Sequence, residues 1–244
     1  MFSVYNKSNI ARLLSKRLWI LVFVLLILVC LYPVNNGRVR CLMLLLGGVL
    51  WVWACCLGWK RRVLRNILIA VPLLTLLVCI LPARNYDKDK LRDSFVSSLK
   101  SYEGSMYYWG GENKIGIDCS GLIRKSLIMA NFKRGLLTFN GGLIRRGIWL
   151  WWNDASARHM KNGYGGKTQL LFEGDSINEL DHSRLRAGDF AITRDGSHAL
   201  AYIGDEKWIQ AEPGLTEVVI LGSPDEDMGW YRSKVDIMRW VQFE

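Results

Sequence analysis

The chain has 244 residues, is 50% hydrophobic and carries a formal net charge of +10. All of that excess lies in residues 1–82, which hold ten Lys and Arg and no acidic residue, whereas residues 83–244 hold 22 basic and 22 acidic residues. This distribution argues against nucleic acid as a partner, and the composition excludes a disordered tail, a collagen-like repeat and a disulfide mini-protein.

Three uncharged apolar runs dominate the N-terminal third, at residues 18–34, 41–59 and 67–83. Crossing a bilayer takes about 20 apolar residues as a helix. The runs therefore predict a membrane module over residues 1–83 with three transmembrane helices. Two alternatives are three buried helices of a soluble core, and a cleaved signal peptide in place of the first run.

The basic residues predict the orientation of this module. Four precede the first run, including Lys7 and Arg12, two lie in the loop after it, and four lie in the next loop. Because loops rich in Lys and Arg stay in the cytoplasm, the N-terminus and the second loop should be cytoplasmic. Three crossings then leave residues 84–244 outside the cytoplasm.

The cysteines agree with this layout. Five of the six lie in or at the apolar runs, where they are most simply small apolar residues. Cys119 is the one cysteine within residues 84–244, so that part of the chain has no second cysteine for an internal disulfide. A lone thiol in an oxidising compartment is a candidate reactive group.

The part after the membrane module begins with helical patterns. Residues 86–102 carry Leu91, Phe95 and Leu99 four residues apart, a helical stripe. A glycine-rich stretch follows, and a second helix is expected to start close to Cys119 and continue to Asn131.

Residues 132–187 give no clear element. Their run of tryptophans, at positions 149, 151 and 152, fits a core segment or a surface touching the membrane interface, with ligand stacking as the alternative. Further on, short apolar runs between turn residues predict strands at 188–193, 198–203, 207–211, 216–221 and 235–243. Helices followed by an antiparallel meander make the fold class α+β.

Three residues of this part have the chemistry for nucleophilic catalysis. Cys119 is predicted at a helix N-terminus, whose free N–H groups and dipole favour the thiolate. His198 begins a strand, and a meander brings Gln210 of the next strand beside it, so the amide oxygen can fix the imidazole tautomer. In this set Cys119 would be the nucleophile, His198 the base and Gln210 the residue that orients the base. On spacing alone, a structural role for the lone Cys and His is the alternative.

Two groups of motifs support the catalytic interpretation over the structural one. The first comprises Tyr107-Tyr-Trp-Gly-Gly111 and Gly116-Ile-Asp-Cys-Ser-Gly-Leu122, and the second comprises Gly188-Asp-Phe, Ser197-His-Ala-Leu-Ala-Tyr-Ile-Gly204 and Trp208-Ile-Gln-Ala211. Over about residues 90–221 these resemble the NlpC/P60 family of papain-like cell-wall cysteine peptidases. The stretch between the two groups is longer than is usual in that family.

The resemblance implies a papain-like domain with N-terminal helices, a nucleophile at a helix start and an antiparallel sheet. It makes Cys119 the nucleophile and His198 the base, and it puts Gln210 where the family most often has His. Tyr107 matches a tyrosine that helps to bind substrate and the oxyanion. Asp118 and Ser120 match positions that contact the stem peptide, although Asp118 also suits helix capping.

The function thus implied is hydrolysis of an amide bond in peptidoglycan stem peptides, through a thioacyl-enzyme. The enzyme would be a multi-pass protein of the bacterial cytoplasmic membrane whose catalytic domain, residues 84–244, faces the wall. Both an N-acetylmuramoyl amidase and an endopeptidase acting after γ-D-glutamyl fit. Two other classes stay open, a thiol acyltransferase acting on lipids and a non-catalytic peptidoglycan-binding module. The sequence has no phosphate loop, metal-ligand cluster or dinucleotide fingerprint, so no cofactor or metal is expected.

Overall fold

The computed structural model describes residues 2–244, with side chains from Leu13 onward. Lys7 and Arg12, which contribute to the charge count above, therefore have side chains outside the described set.

Three long helices come first: α1 (Phe2–Leu31), α2 (Gly37–Gly58) and α3 (Arg62–Ile80). Within them, three stretches are long and apolar enough to cross a membrane, at Leu13–Leu31, Gly37–Gly58 and Arg62–Ile80, with hydropathy of 2.2 to 2.4.

Each helix begins before its predicted span and ends one to three residues before that span ends. The first helix ends at Leu31 and the third at Ile80, each shortly before a proline. Proline disfavours helical backbone in the residue before it, which accounts for the early stop at Leu81-Pro82. Most apolar side chains on these helices are exposed, including Leu74 at 62%. Such surfaces are compatible with a membrane anchor.

Four further helices form one layer of the remaining chain: α4 (Lys88–Lys100), α5 (Cys119–Leu137), α6 (Gly141–Trp152) and α7 (Ala157–Lys161). The predicted stripe on α4 is fully buried. Helix α5 starts at Cys119 as expected and runs six residues beyond Asn131. Helices α6 and α7 occupy the stretch in which the sequence showed no clear element.

The second layer is a six-stranded antiparallel sheet in the order β1-β6-β2-β3-β4-β5. Its strands are β1 (Thr168–Gly174), β2 (Phe190–Thr193), β3 (Ala199–Gly204), β4 (Lys207–Glu212), β5 (Glu217–Gly222) and β6 (Val235–Trp240). Strands β2 to β5 form the predicted meander. Strand β1 has no counterpart among the predicted strands, and β6 pairs with β2 and β1 instead of extending the meander.

The sheet is covered on both faces. One face packs with α4 and α5 into the main core, which includes Phe95, Ile123, Phe190 and Ile209. The other face forms a smaller cluster around Trp208. The arrangement confirms the α+β fold class, with helices ahead of an antiparallel sheet and three apolar helices before both.

Candidate active site

Cys119 is the first residue of α5, and Asp118 caps that helix. The Asp118 carboxylate accepts hydrogen bonds from the Gly121 N–H at 2.5 Å, the Ser120 hydroxyl at 2.9 Å and the Gly110 N–H at 2.8 Å. Helix capping is therefore the role that the structure shows for Asp118. Its carboxylate also ties the glycine-rich segment to the start of α5.

The glycines of this motif permit close backbone packing. A Cβ atom on Gly121 would collide with the carbonyl oxygen of Gly111, and one on Gly111 would collide with that of Gly116. The segment can lie against the helix start only without side chains at these positions. As a first helical residue, Cys119 also keeps a backbone N–H that has no acceptor within the helix.

The side chains of His198 and Gln210 are hydrogen-bonded to each other. His198 directly precedes β3, Gln210 lies in β4, and the imidazole Nε2 is 2.7 Å from the amide Oε1 of Gln210. Both side chains are buried, at 2% and 0% exposure. An amide oxygen only accepts hydrogen bonds, so Nε2 carries the proton and Nδ1 is left as the basic nitrogen.

The Trp230 ring lies flat on the His198 ring, an arrangement that the sequence did not predict. The ring centroids are 4.3 Å apart and the planes differ by 16°. Trp230 belongs to a short turn, Gly229–Arg232, far from His198 in the chain. The indole fixes the imidazole plane while Gln210 fixes its edge.

The shifted pKa values of the Cys119 thiol and the His198 imidazole both disfavour an ion pair between them. Burial raises the pKa of the Cys119 thiol to about 12, the Asp118 carboxylate raises it further, and the Ala199 backbone N–H lowers it. Burial lowers the pKa of His198 to about 4, and the hydrogen bond that the imidazole donates to Gln210 opposes this shift. This result is opposite to the sequence-based expectation of a thiolate, and at neutral pH the resting pair is thiol and imidazole.

A cleft of about 1080 Å³ opens beside these groups. The cleft is lined by Cys119, His198, Trp230 and the predicted substrate-binding residues, whereas Gln210, the hydrogen-bond partner of His198, does not line it. The predicted substrate-binding residues are Tyr107, Asp118 and Ser120. Burial is the main cause that raises the pKa of Tyr107 to about 12, and the nearby Cys119 and carboxylates raise it as well. The Tyr107 hydroxyl therefore remains a donor at neutral pH.

The loop between α1 and α2 forms part of the cleft wall. Val34, Asn35 and Asn36 line the cleft, and Val34 forms an isolated β-bridge with Gly111. The Glu112 N–H donates to the carbonyl oxygen of Pro33 at 2.9 Å. The first loop of the predicted membrane module thus contacts the segment just before the nucleophile.

A buried charge network holds this loop in place. Arg40, in the first turn of α2, is 0% exposed, and its Nη2 lies 3.1 Å from Glu112 Oε2 and 2.5 Å from Asp154 Oδ1. Arg124 of α5 pairs with both of these carboxylates. Two cations and two carboxylates therefore form a neutral network between α2 and the residues beside the cleft.

No group of three or more His, Cys, Asp or Glu side chains in the described part of the chain is arranged to hold a metal ion. The chemistry visible in the cleft is that of the thiol, the imidazole and the surrounding hydrogen-bond donors.

Comparison with known proteins identifies relatives of this chain. The chain is 27% identical over 147 residues to dipeptidyl-peptidase 6 of Lysinibacillus sphaericus, covering 60% of this chain and 42% of that protein. The chain therefore spans less than half the length of this curated relative.

Solved structures of similar proteins share lower identity. An NlpC/P60 family protein from Bacillus cereus is 21% identical, with a TM-score of 0.39, and the match covers 66% of this chain and 42% of that one. The peptidoglycan hydrolase RipB of Mycobacterium tuberculosis is 15% identical, with a TM-score of 0.37, over 62% and 65% of the two chains. The model of the NlpC/P60 family matches residues 104–232, more than half of the sequence, and the chain belongs to that family.

Proposed function

We propose that this protein is a membrane-anchored cysteine peptidase that hydrolyses an amide bond in peptidoglycan stem peptides. The observation that carries the proposal is that Cys119 and His198 line one cleft, with Gln210 hydrogen-bonded to Nε2 of the imidazole. Peptidoglycan is the proposed substrate class because similar proteins of solved structure include peptidoglycan hydrolases.

The reaction starts from a neutral pair. As Sγ of Cys119 bonds to the substrate carbonyl carbon, its proton passes to Nδ1 of His198 and the carbonyl electrons move to the oxygen. The backbone N–H of Cys119 and the Tyr107 hydroxyl are the donors available to that oxyanion. Nδ1 then gives its proton to the leaving amine as the C–N bond breaks, which forms the thioester.

The second half repeats these steps with water. His198 takes a proton from the water as its oxygen attacks the thioester carbonyl, and the C–S bond breaks as the proton returns to sulfur. The hydrogen bond from Nε2 to Gln210 stabilises each imidazolium, because that bond shortens and strengthens when the ring is charged. Trp230 holds the ring plane through both halves.

Purified full-length protein incubated with muropeptides, followed by mass spectrometry, tests this function. Hydrolysis by the parent and not by Cys119→Ala is expected, and the product masses identify the bond that is cut. Ser105→Ala, a partly exposed position outside the cleft, is a control expected to keep activity. Acyl transfer onto added phospholipid would favour the acyltransferase instead, and saturable binding without a product would favour a binding module.

The membrane placement is part of the proposal and has its own test. The α1–α2 loop and the end of α3 both contact the C-terminal part, as three crossings with that part outside require. A periplasm-active reporter fused after Glu244 should be active, and one fused near Arg62 should be silent. The reverse pattern would place the catalytic part in the cytosol and remove the wall as its substrate.

A further inference from the structure

A second cavity, of about 470 Å³, shares no lining residue with the catalytic cleft. Three cations line it, Arg145 and Arg146 of α6 and Lys167, and its lining among the described residues contains no Asp or Glu. The Arg146 guanidinium donates to the Tyr86 hydroxyl at 2.7 Å, and Lys167 Nζ lies 4.9 Å from the centre of the Trp149 ring. The cavity is therefore strongly cationic.

Two further donors in the lining have no partner. The indole N–H of Trp240, whose side chain is 0% exposed, and the amide nitrogen of Gln242 are buried without a hydrogen bond to any described residue. Buried donors are nearly always paired in folded proteins, because a buried donor without an acceptor is destabilising. Neither donor atom is open to the cavity, so the three cations, with no carboxylate beside them in the lining, are what call for a ligand with acceptor oxygens and negative charge.

The cavity lies at the outer end of the third apolar helix. Nη1 of Arg145 donates at 2.8 Å to the carbonyl oxygens of both Cys79 and Leu81, where α3 ends. If α3 spans the bilayer, this level is that of the lipid headgroups. Apolar side chains, Leu127, Leu150 and Val241, complete the lining.

We propose that this cavity binds the phosphate group of a membrane phospholipid. The proposal rests on the membrane anchoring proposed above. Arg145, Arg146 and Lys167 can form charge-assisted hydrogen bonds to phosphate oxygens. The apolar lining accommodates the glycerol and the first carbons of the acyl chains. A bound lipid would fix α6 to the end of α3.

Native mass spectrometry of the full-length protein released from nanodiscs provides the test. The nanodiscs contain phosphatidylglycerol, and soluble short-chain phosphatidylglycerol and inorganic phosphate are titrated in separate arms. The test variant is Arg146→Gln with Lys167→Gln. The matched control is Lys100→Gln with Lys133→Gln, which removes the same charge from exposed positions outside the cavity.

The parent and the control should retain phosphatidylglycerol, and the test variant should bind short-chain lipid at least about tenfold more weakly. Equal retention by test and control variants would overturn the site. Inorganic phosphate binding as tightly as short-chain lipid would overturn the lipid as its source. If the test variant folds poorly, Lys167→Gln alone replaces it, because Lys167 Nζ lies over the Trp149 ring and has no ion pair or hydrogen bond with any described residue.

Muropeptide hydrolysis is measured on the same preparations. Hydrolysis without cavity-dependent lipid retention refutes only this inference, whereas retention without hydrolysis refutes only the peptidase proposal.

Discussion

Replacing Arg40 should loosen the wall of the cleft. Arg40→Met keeps much of the side-chain volume and removes the guanidinium from a fully buried position. Breaking a buried ion pair by deleting one partner costs about 3–5 kcal/mol, since the other charge stays buried. Here Glu112 and Asp154 each keep Arg124, so the lower end applies, about 3 kcal/mol.

The assay is pulse proteolysis of the full-length protein in detergent across a urea series. It reports the free energy of unfolding of the part that α2 contacts, from the midpoint and slope. Arg38→Met is the matched control, because Arg38 lies two residues away in the same helical turn and is exposed. Exposed substitutions of this kind usually change stability by less than about 0.5 kcal/mol.

A double-mutant cycle separates the charge network from general damage. Arg40→Met combined with Asp154→Asn should destabilise by less than the sum of the two single changes, because the pair is 2.5 Å apart. If Arg40→Met is no more destabilising than Arg38→Met, or if the two changes add without coupling, the network does not hold α2 to the cleft.

Three further predictions concern the site chemistry. Because the pKa of His198 is lowered from 6.5 to about 4 and the base must be neutral, kcat/KM should fall only as the pH drops through about 4. A loss of kcat/KM on the acid side, the acid limb of the pH profile, that is centred near 6.5 would refute this. Alkylation of Cys119 by iodoacetamide should be slow at neutral pH and rise toward high pH. Asp118→Asn, which keeps a cap and removes the charge, should shift that profile to lower pH, and an unshifted profile would contradict the Asp118 effect. Gln210→Ala should reduce turnover about tenfold and move the acid limb to still lower pH, whereas Gln210→His should retain activity. If the turnover of Gln210→Ala stays within twofold of the parent, Gln210 is not part of the site.

The elements that could be predicted are those whose pattern is local. The α4 stripe and strands β2 to β5 each show their period within one short segment. Strand β1 does not, because a register shift between Leu170 and Phe172 breaks its alternation, and its partner β6 lies more than 60 residues further along the chain. Nothing near either strand specifies that pairing.

The same distinction applies to the site. Adjacent strands of a meander bring His198 and Gln210 together, so their contact could be predicted from the sequence. Trp230 and the α1–α2 loop reach the cleft through tertiary packing of distant segments, which leaves no periodic signal. The charge pattern treats Arg40 as a loop residue that bears on the orientation of the membrane module, whereas the structure buries it against carboxylates.

The charge state of the thiol shows why local position is not sufficient to predict chemistry. A helix N-terminus stabilises a negative charge by about 0.3–1 kcal/mol when exposed and up to about 2 kcal/mol when partly buried. Burial can shift a pKa by about 3–5 units, which is a larger effect in free energy. Asp118, the residue that caps α5, adds a carboxylate at the same helix end and opposes the dipole. A helix start therefore promotes a thiolate only while the thiol stays solvated. In the proposed reaction, His198 takes the proton during the attack, so the imidazolium exists only transiently. A neutral residue such as Gln210 can stabilise that transient charge by accepting the hydrogen bond from Nε2.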